Sequence, residues 1–264
     1  MRIMSAWNQP ISLLVALLLL AGCRQPHTSP SPPSLLGGVH DDREYPNELQ
    51  KRWALATTAV LTESNGGDHT LLGGCERTPE NAEKWAGILK EWWDVESRDD
   101  LFRSLSWLDN GGRRADYNLQ AWFLSDMEAK HIELLRATET DPEAINRIDV
   151  VQKYSKQLGE AGIDAWDHSR YISLCGWGYV VGYLTEDEAW QRIMPRARLL
   201  QNGFTSWKAL GWSHVIGREF WSKKHTELRG ELTRKSYQKL LKPRSSPWNQ
   251  IDWDLNLEPA QPPR

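Results

Sequence analysis

From Glu48 onward, apolar side chains recur every three or four residues, the spacing that gathers them on one face of a helix. Leu49, Trp53, Ala56 and Val60 form a first stripe of this kind. The next segment opens on Thr78-Pro79, a hydroxyl placed to accept free amides followed by a proline where a missing N–H is harmless. Ser97-Arg98-Asp99-Asp100 is a near match to a capping box ahead of Leu101, Leu105 and Leu108, and Gly111-Gly112 is expected to end that helix. Asp141-Pro142-Glu143 starts another segment, carrying Ile145, Ile148, Val151, Tyr154 and Leu158. Thr185-Glu186-Asp187-Glu188 is a complete capping box before Ala189, Trp190 and Ile193, and Pro195 should kink or end the helix that follows. No alternating run is long enough to seed a sheet. The pattern predicts an all-α fold, a single globular domain of roughly eight to ten helices over residues 48–264.

The N-terminus follows another pattern. Arg2 is a minimal positive region, Ile11 to Leu20 is an apolar run too short for a bilayer span, and Leu20-Ala21-Gly22-Cys23 ends it. This resembles the lipobox of bacterial lipoproteins, which implies a signal peptide over 1–22, acylation of Cys23 and attachment to a lipid bilayer. One acyl chain holds a protein only marginally, whereas several make a stable anchor. Arg24 stands where an aspartate would imply inner-membrane retention, so the expected location is the cell envelope, at the outer membrane facing the periplasm; the inner membrane and the cell surface are the other destinations. Residues 23–47 hold Pro26, Pro30, Pro32, Pro33 and Pro46 among serines. They read as a disordered tether, since such a segment has too little apolar surface to offset the entropy of ordering.

Composition changes this picture in two respects. The formal charge is −3, becoming −4 once Arg2 leaves with the signal, so nucleic acid is not an expected partner. The basic pairs Lys223-Lys224 and Arg234-Lys235 read as solvated helix faces. Tryptophan is abundant at fifteen residues, and each indole can bury a large apolar surface while its N–H seeks an acceptor. Trp53, Trp85, Trp92, Trp107, Trp166, Trp190, Trp207 and Trp221 lie among apolar helical neighbours. Core packing explains them, and a platform for sugar rings or peptide side chains is the alternative.

The densest local pattern runs from Ala165-Trp166-Asp167-His168-Ser169-Arg170 through Gly178-Tyr179, Gly182-Tyr183, Ser206-Trp207 and Gly217-Arg218-Glu219-Phe220-Trp221. This series resembles the bacterial family with the domain of unknown function numbered 1266, over roughly Trp53 to Trp253, with Ser246-Pro247-Trp248 and Ile251-Asp252-Trp253 as its closing pattern. The resemblance implies no activity. Asp167 and Arg170 share a helix face, and Gly217 before Arg218 would let another helix approach closely. An Asp167–Arg218 or Asp167–backbone link is the expected structural role. The alternative makes Asp167, Arg170 and Arg218 a polar centre for a carboxylate or phosphate, lined by Trp166, Trp207 and Trp221.

No catalytic motif is recognised, and no cofactor or metal site is expected from the cysteine and histidine spacing. His168 and His214 read as surface or capping residues. Cys75 and Cys175 either pair in the oxidising periplasm or remain as buried thiols. Two functions follow: a non-enzymatic lipoprotein presenting its helices to an envelope protein partner, or a glycan- or peptide-binding, conceivably hydrolytic, envelope protein with a Trp-lined pocket.

Overall fold

A computed structural model describes residues 46–258. The expected export signal, Cys23 and the expected tether up to Tyr45 lie outside the described residues. The described chain is helical with no strand, and holds twelve α-helices, the last a single turn. Helix α1 (Glu48–Ala56) starts on a capping box between Asn47 and Gln50, and α2 (Ala59–Ser64) follows at once. A 3₁₀ turn (Leu72–Gly74) leads to α3 (Pro79–Trp93), α4 (Arg98–Asp109), α5 (Gly112–Ser125) and α6 (Ala129–Thr138). Then come α7 (Pro142–Leu158), α8 (Asp164–Val181), α9 (Glu186–Gly203), α10 (Trp207–Trp221), α11 (Lys223–Leu240) and α12 (Pro247–Gln250). The all-α expectation holds, and the excess over eight to ten comes from short elements such as α2 and α12, which are too brief to show a periodic stripe.

Helix α8 is the axis. Every residue of it is buried except Asp164, Tyr179 and Val181, so it lacks the polar face of a surface helix. Helices α3, α4, α5, α9 and α10 pack around it. Two glycines set the closest approach on one side. A Cβ on Gly176 would lie 2.6 Å from the Gly73 nitrogen, and one on Gly73 would lie 2.8 Å from the Gly176 carbonyl oxygen. Gly73 also has φ +80°, a backbone region that glycine enters without steric cost. The 3₁₀ turn therefore rests directly on the α8 backbone.

The C-terminal segment returns to α1 and is held there by tryptophans. Trp207 lies 4.7 Å from Trp53 and 4.8 Å from Trp253 between ring centres. The indoles of Trp53, Trp207 and Trp248 donate to the carbonyls of Trp253, Ile251 and Ala56 at 2.9–3.0 Å. Gln201 Nε2 donates to the Trp253 and Leu255 carbonyls, and Gln50 Nε2 to those of Asn256 and Glu258. Side chains thus take up carbonyls that an irregular segment cannot pair within itself.

At Pro195 the helix does not end: α9 continues through it, because Pro195 and Gln191, whose carbonyl loses its helical partner, are both exposed and water can serve that oxygen. Gly111-Gly112 ends α4 as expected, following its C-cap Asn110 directly, and the same pair leads into α5.

The Gly73–Gly176 contact makes a direct test. Gly176→Ala should lower the free energy of unfolding by about 1–3 kcal/mol, since a methyl there must displace backbone. Gly87→Ala, on the exposed face of α3 with nothing within 4 Å of the added carbon, should raise it by about 0.5–1 kcal/mol. Urea titrations of both variants check the contrast.

Candidate functional site

The motif-rich half of the chain folds into a buried polar knot. Asp167, on the first turns of α8, is fully excluded from solvent and its Oδ2 accepts the Arg114 amide at 2.8 Å. The Arg113 amide bonds it as well. Asp167 therefore caps α5 from another helix, where first-turn amides favour an anion. Gly112 makes this contact feasible: it has φ +52°, and a Cβ there would fall 2.4 Å from Oδ2. Burial pushes the Asp167 carboxyl up, while Arg170, the two amides and Arg114 hold it down. The ion pairs are loose, at 3.6 Å to Arg114 and 3.9 Å to Arg170.

Arg170 is just as enclosed. Its guanidinium lies 4.4 Å from the ring centres of both Trp93 and Trp166, a cation between two aromatic faces. Burial lowers it to about 9, opposed by Asp167 and reinforced by Arg113 and Arg218. Arg114 ties the knot to the preceding helix, donating to the carbonyls of Leu108 and Asp109 at the end of α4.

The remaining sequence candidates lie apart from Asp167 or serve packing. Arg218 does not reach Asp167; its Nη2 donates to the His225 carbonyl at 3.4 Å and its guanidinium lies 5.7 Å from the Trp221 ring. Of the two expected links, Asp167–Arg218 is not formed and Asp167–backbone is, to the α5 amides. Gly217, one residue before it, is where α10 meets α8: a Cβ would fall 2.2 Å from the Trp166 Cβ. Trp166 lies 6.0 Å from Trp221, which stacks on His225 at 4.7 Å, whereas Trp207 belongs to the C-terminal clasp. His168 and His214, expected at the surface or at caps, are buried: His214 lies where α8 and α10 meet, its Nδ1 2.7 Å from Ser169 Oγ, and His168 lies near Arg114 of α5 and Arg196 of α9. Cys75 and Cys175 are both free thiols. Cys175 is buried in α8, and Cys75 Sγ accepts the Trp85 indole N–H at 3.2 Å.

The cavity lies elsewhere. A pocket of about 230 Å³ sits between α1–α2, the loop 65–75, α3 and the middle of α8. Trp85 and Trp177, stacked at 4.5 Å, form one wall, and Thr58, Thr62, Asn65, Lys84 and Ser173 contribute polar groups. His69, also in the lining, turns Nε2 toward Glu63 at 3.1 Å and leaves a buried Nδ1 without a protein partner. If Nε2 donates, a neutral ring presents Nδ1 as an acceptor. Burial pushes the Glu63 carboxyl up, but hydrogen bonds from Lys239 and His69 outweigh it and hold the group below its ordinary range. Among the described residues no cluster of three His, Cys, Asp or Glu side chains could hold a metal ion. The sequence reading missed this site; its one signal was the polar, glycine-rich run Asn65-Gly66-Gly67-Asp68-His69 before Gly73-Gly74.

The knot has an acid signature. Burial holds His168 and His214 down to about 3, so below about 6.5 the unfolded chain takes up protons that the folded one refuses and stability falls. Asp164, pushed up to about 6 by burial, acts in the opposite direction because its folded form protonates first. The unfolding free energy should therefore drop by about 2 kcal/mol from pH 7 to pH 5, and more steeply in Asp164→Asn. Urea midpoints at the two pH values measure this; a flat profile in both proteins would contradict it.

Comparison with known proteins matches residues 88–253 to the model described as "Protein of unknown function (DUF1266)". The chain is 28% identical to the uncharacterized protein YbeR of Escherichia coli (strain K12) over 154 residues, 55% of this chain and 63% of that one. It is 26% identical to the uncharacterized protein YbeU of the same organism over 180 residues, 63% of this chain and 74% of that one. No solved structure matches. The family match includes the polar knot and the tryptophan clasp on its C-terminal side, and begins after Trp85, so most of the pocket lining precedes it. With its model covering more than half of the residues, the chain belongs to the DUF1266 family.

Proposed function

We propose that this chain is a lipid-anchored protein of the bacterial cell envelope, attached through acylated Cys23 and facing the periplasm, whose helical domain binds a small glycan or peptide fragment. The observation that carries the binding reading is the pocket: about 230 Å³, walled by Trp85 and Trp177, with Asn65, His69, Lys84 and Ser173 in its lining. This volume suits one sugar ring or one or two peptide residues rather than a polymer. Both ligand types carry hydrogen-bonding groups for Asn65, Lys84 and Ser173 and an apolar face for an indole. Cys75 is engaged by Trp85 and His69 by Glu63, so the pocket reads as a place to bind rather than to hydrolyse.

The presentation of helices to an envelope protein partner has weaker support. Such a partner calls for a contiguous apolar patch. The exposed large apolar residues Leu49, Trp122, Leu134, Leu199, Leu228, Leu232 and Leu241 are distributed over α1, α5, α6, α9, α11 and the turn after it. Location rests on Leu20-Ala21-Gly22-Cys23; no helix among the described residues is long and apolar enough to cross a membrane.

Two measurements test the proposal. Metabolic labelling with palmitate should mark the wild-type chain and leave Cys23→Ala unlabelled; label retained by the variant would remove the anchor. Calorimetric titration with a purified disaccharide-peptide cell-wall fragment should show saturable binding. Lys84→Ala and Ser173→Met, which remove a charge and fill space in the pocket, should each weaken that binding about tenfold or more, equivalent to about 1.4 kcal/mol. Heat identical in all three proteins would rule the pocket out.

A further inference from the structure

The outward face of α11 joins charge and apolar exposure in a way the pocket does not account for. Residues 223–244 contain eight Lys or Arg and two Glu, a balance of +6 in a chain whose total is −3, which leaves −9 for all other residues. Arg234 and Lys239 turn to Glu219 and Glu63 on neighbouring elements. Lys224, Arg229, Lys242 and Arg244 are exposed and make no ion pair among the described residues. Helix α11 buries Gly230, Thr233, Tyr237 and Leu240. On the opposite side, Lys224, Leu228, Leu232 and Lys235 follow one another at helical spacing and all four are exposed, Leu228 at 71% and Leu232 at 46%.

We propose that this face of α11 docks on an anionic phospholipid surface. Two leucines one turn apart need an apolar phase, and Lys224 one turn before them can extend its ammonium group to phosphates while its stem lies beside hydrocarbon; Lys235, one turn after them, is paired with Glu231 at 2.7 Å. A nucleic acid would satisfy the charges and leave the leucines in water. Residues 223–244 carry a balance of +6 on one helix and the turn after it, so an anionic bilayer attracts this face. An anchor at Cys23 would keep the surface within reach and let weak contact suffice. The inference is independent of the pocket.

The test is co-sedimentation of the full chain carrying Cys23→Ala, so that every protein compared lacks an acyl chain and shares the same N-terminal apolar segment. Vesicles of phosphatidylcholine are compared with vesicles holding about 30 mol % phosphatidylglycerol, where attraction per basic residue predicts at least about tenfold tighter binding. Added salt should erode that preference. Lys224→Glu/Arg229→Glu should abolish it, and Leu228→Ser/Leu232→Ser should weaken binding to the anionic vesicles several-fold. All four positions are exposed, so circular dichroism and the thermal midpoint should match the parent. Equal binding to both vesicle types, or variants that bind like the parent, would overturn the proposal. Equally tight binding to an RNA homopolymer that Leu228→Ser/Leu232→Ser leaves unchanged would do the same, marking a general polyanion surface.

Discussion

The carboxylate of Asp167, shut away from water on the first turns of α8, bonds the leading amides of α5 across 53 positions of sequence. A buried charge without partners would cost several kcal/mol, so the surroundings must supply them. Each partner imposes a further condition. Gly112 has to lack a side chain for the carboxylate to reach the amides. Arg170, drawn to the same carboxylate, is itself buried and lies between Trp93 and Trp166. Trp166 in turn occupies space that is open only because residue 217 is glycine. From one ion the constraint extends through α5, α8, α3 and α10, and Arg114 carries it to the end of α4.

The same economy of small residues shapes the periphery. Gly73 and Gly176 allow the loop before α3 to rest on the α8 backbone, and the space left under that loop is the pocket. The C-terminal clasp shows the two uses of tryptophan together: rings fill the gap between α1 and α10, and indole N–H groups secure carbonyls of a segment with no regular structure. Pocket and knot differ in kind. The knot has its polar groups turned inward on one another, which makes it a device for fixing helices, whereas the pocket is a space with Asn65, Lys84 and Ser173 in its lining. Its lining joins residues before the family match to Ile172, Ser173 and Trp177 within it.

Much of the fold was legible because helix starts are local. The side chains of Thr78, Ser97, Asp141 and Thr185 each accept an amide two or three residues on, as their spacing predicts. Gly111-Gly112 shows how far local reading reaches. Two glycines after an apolar stripe mark the end of α4, but the capping of α5 by Asp167 that Gly112 permits lies in no window around residue 111. The continuation of α9 past Pro195 is equally non-local, since it depends on which side of α9 faces water. The candidate site fared likewise. Asp167 and Arg170 were found as a pair, with Arg218 or a backbone group as the alternative partners of Asp167; only the fold decided for the α5 amides, Arg218 turning to a carbonyl seven residues away.

Residue order alone settled the all-α class, most helix starts and the abundance of buried indoles, because caps and stripes act over one or two turns. Its N-terminal export pattern also carries the expectation of a lipid anchor. Which polar groups meet, and where a cavity remains, was decided by tertiary packing. Hydrogen bonds and charges are short-range in space but not in sequence: Asp167 meets Arg114 only when α8 crosses the start of α5, and His69 faces a pocket only because Gly73 lies against Gly176.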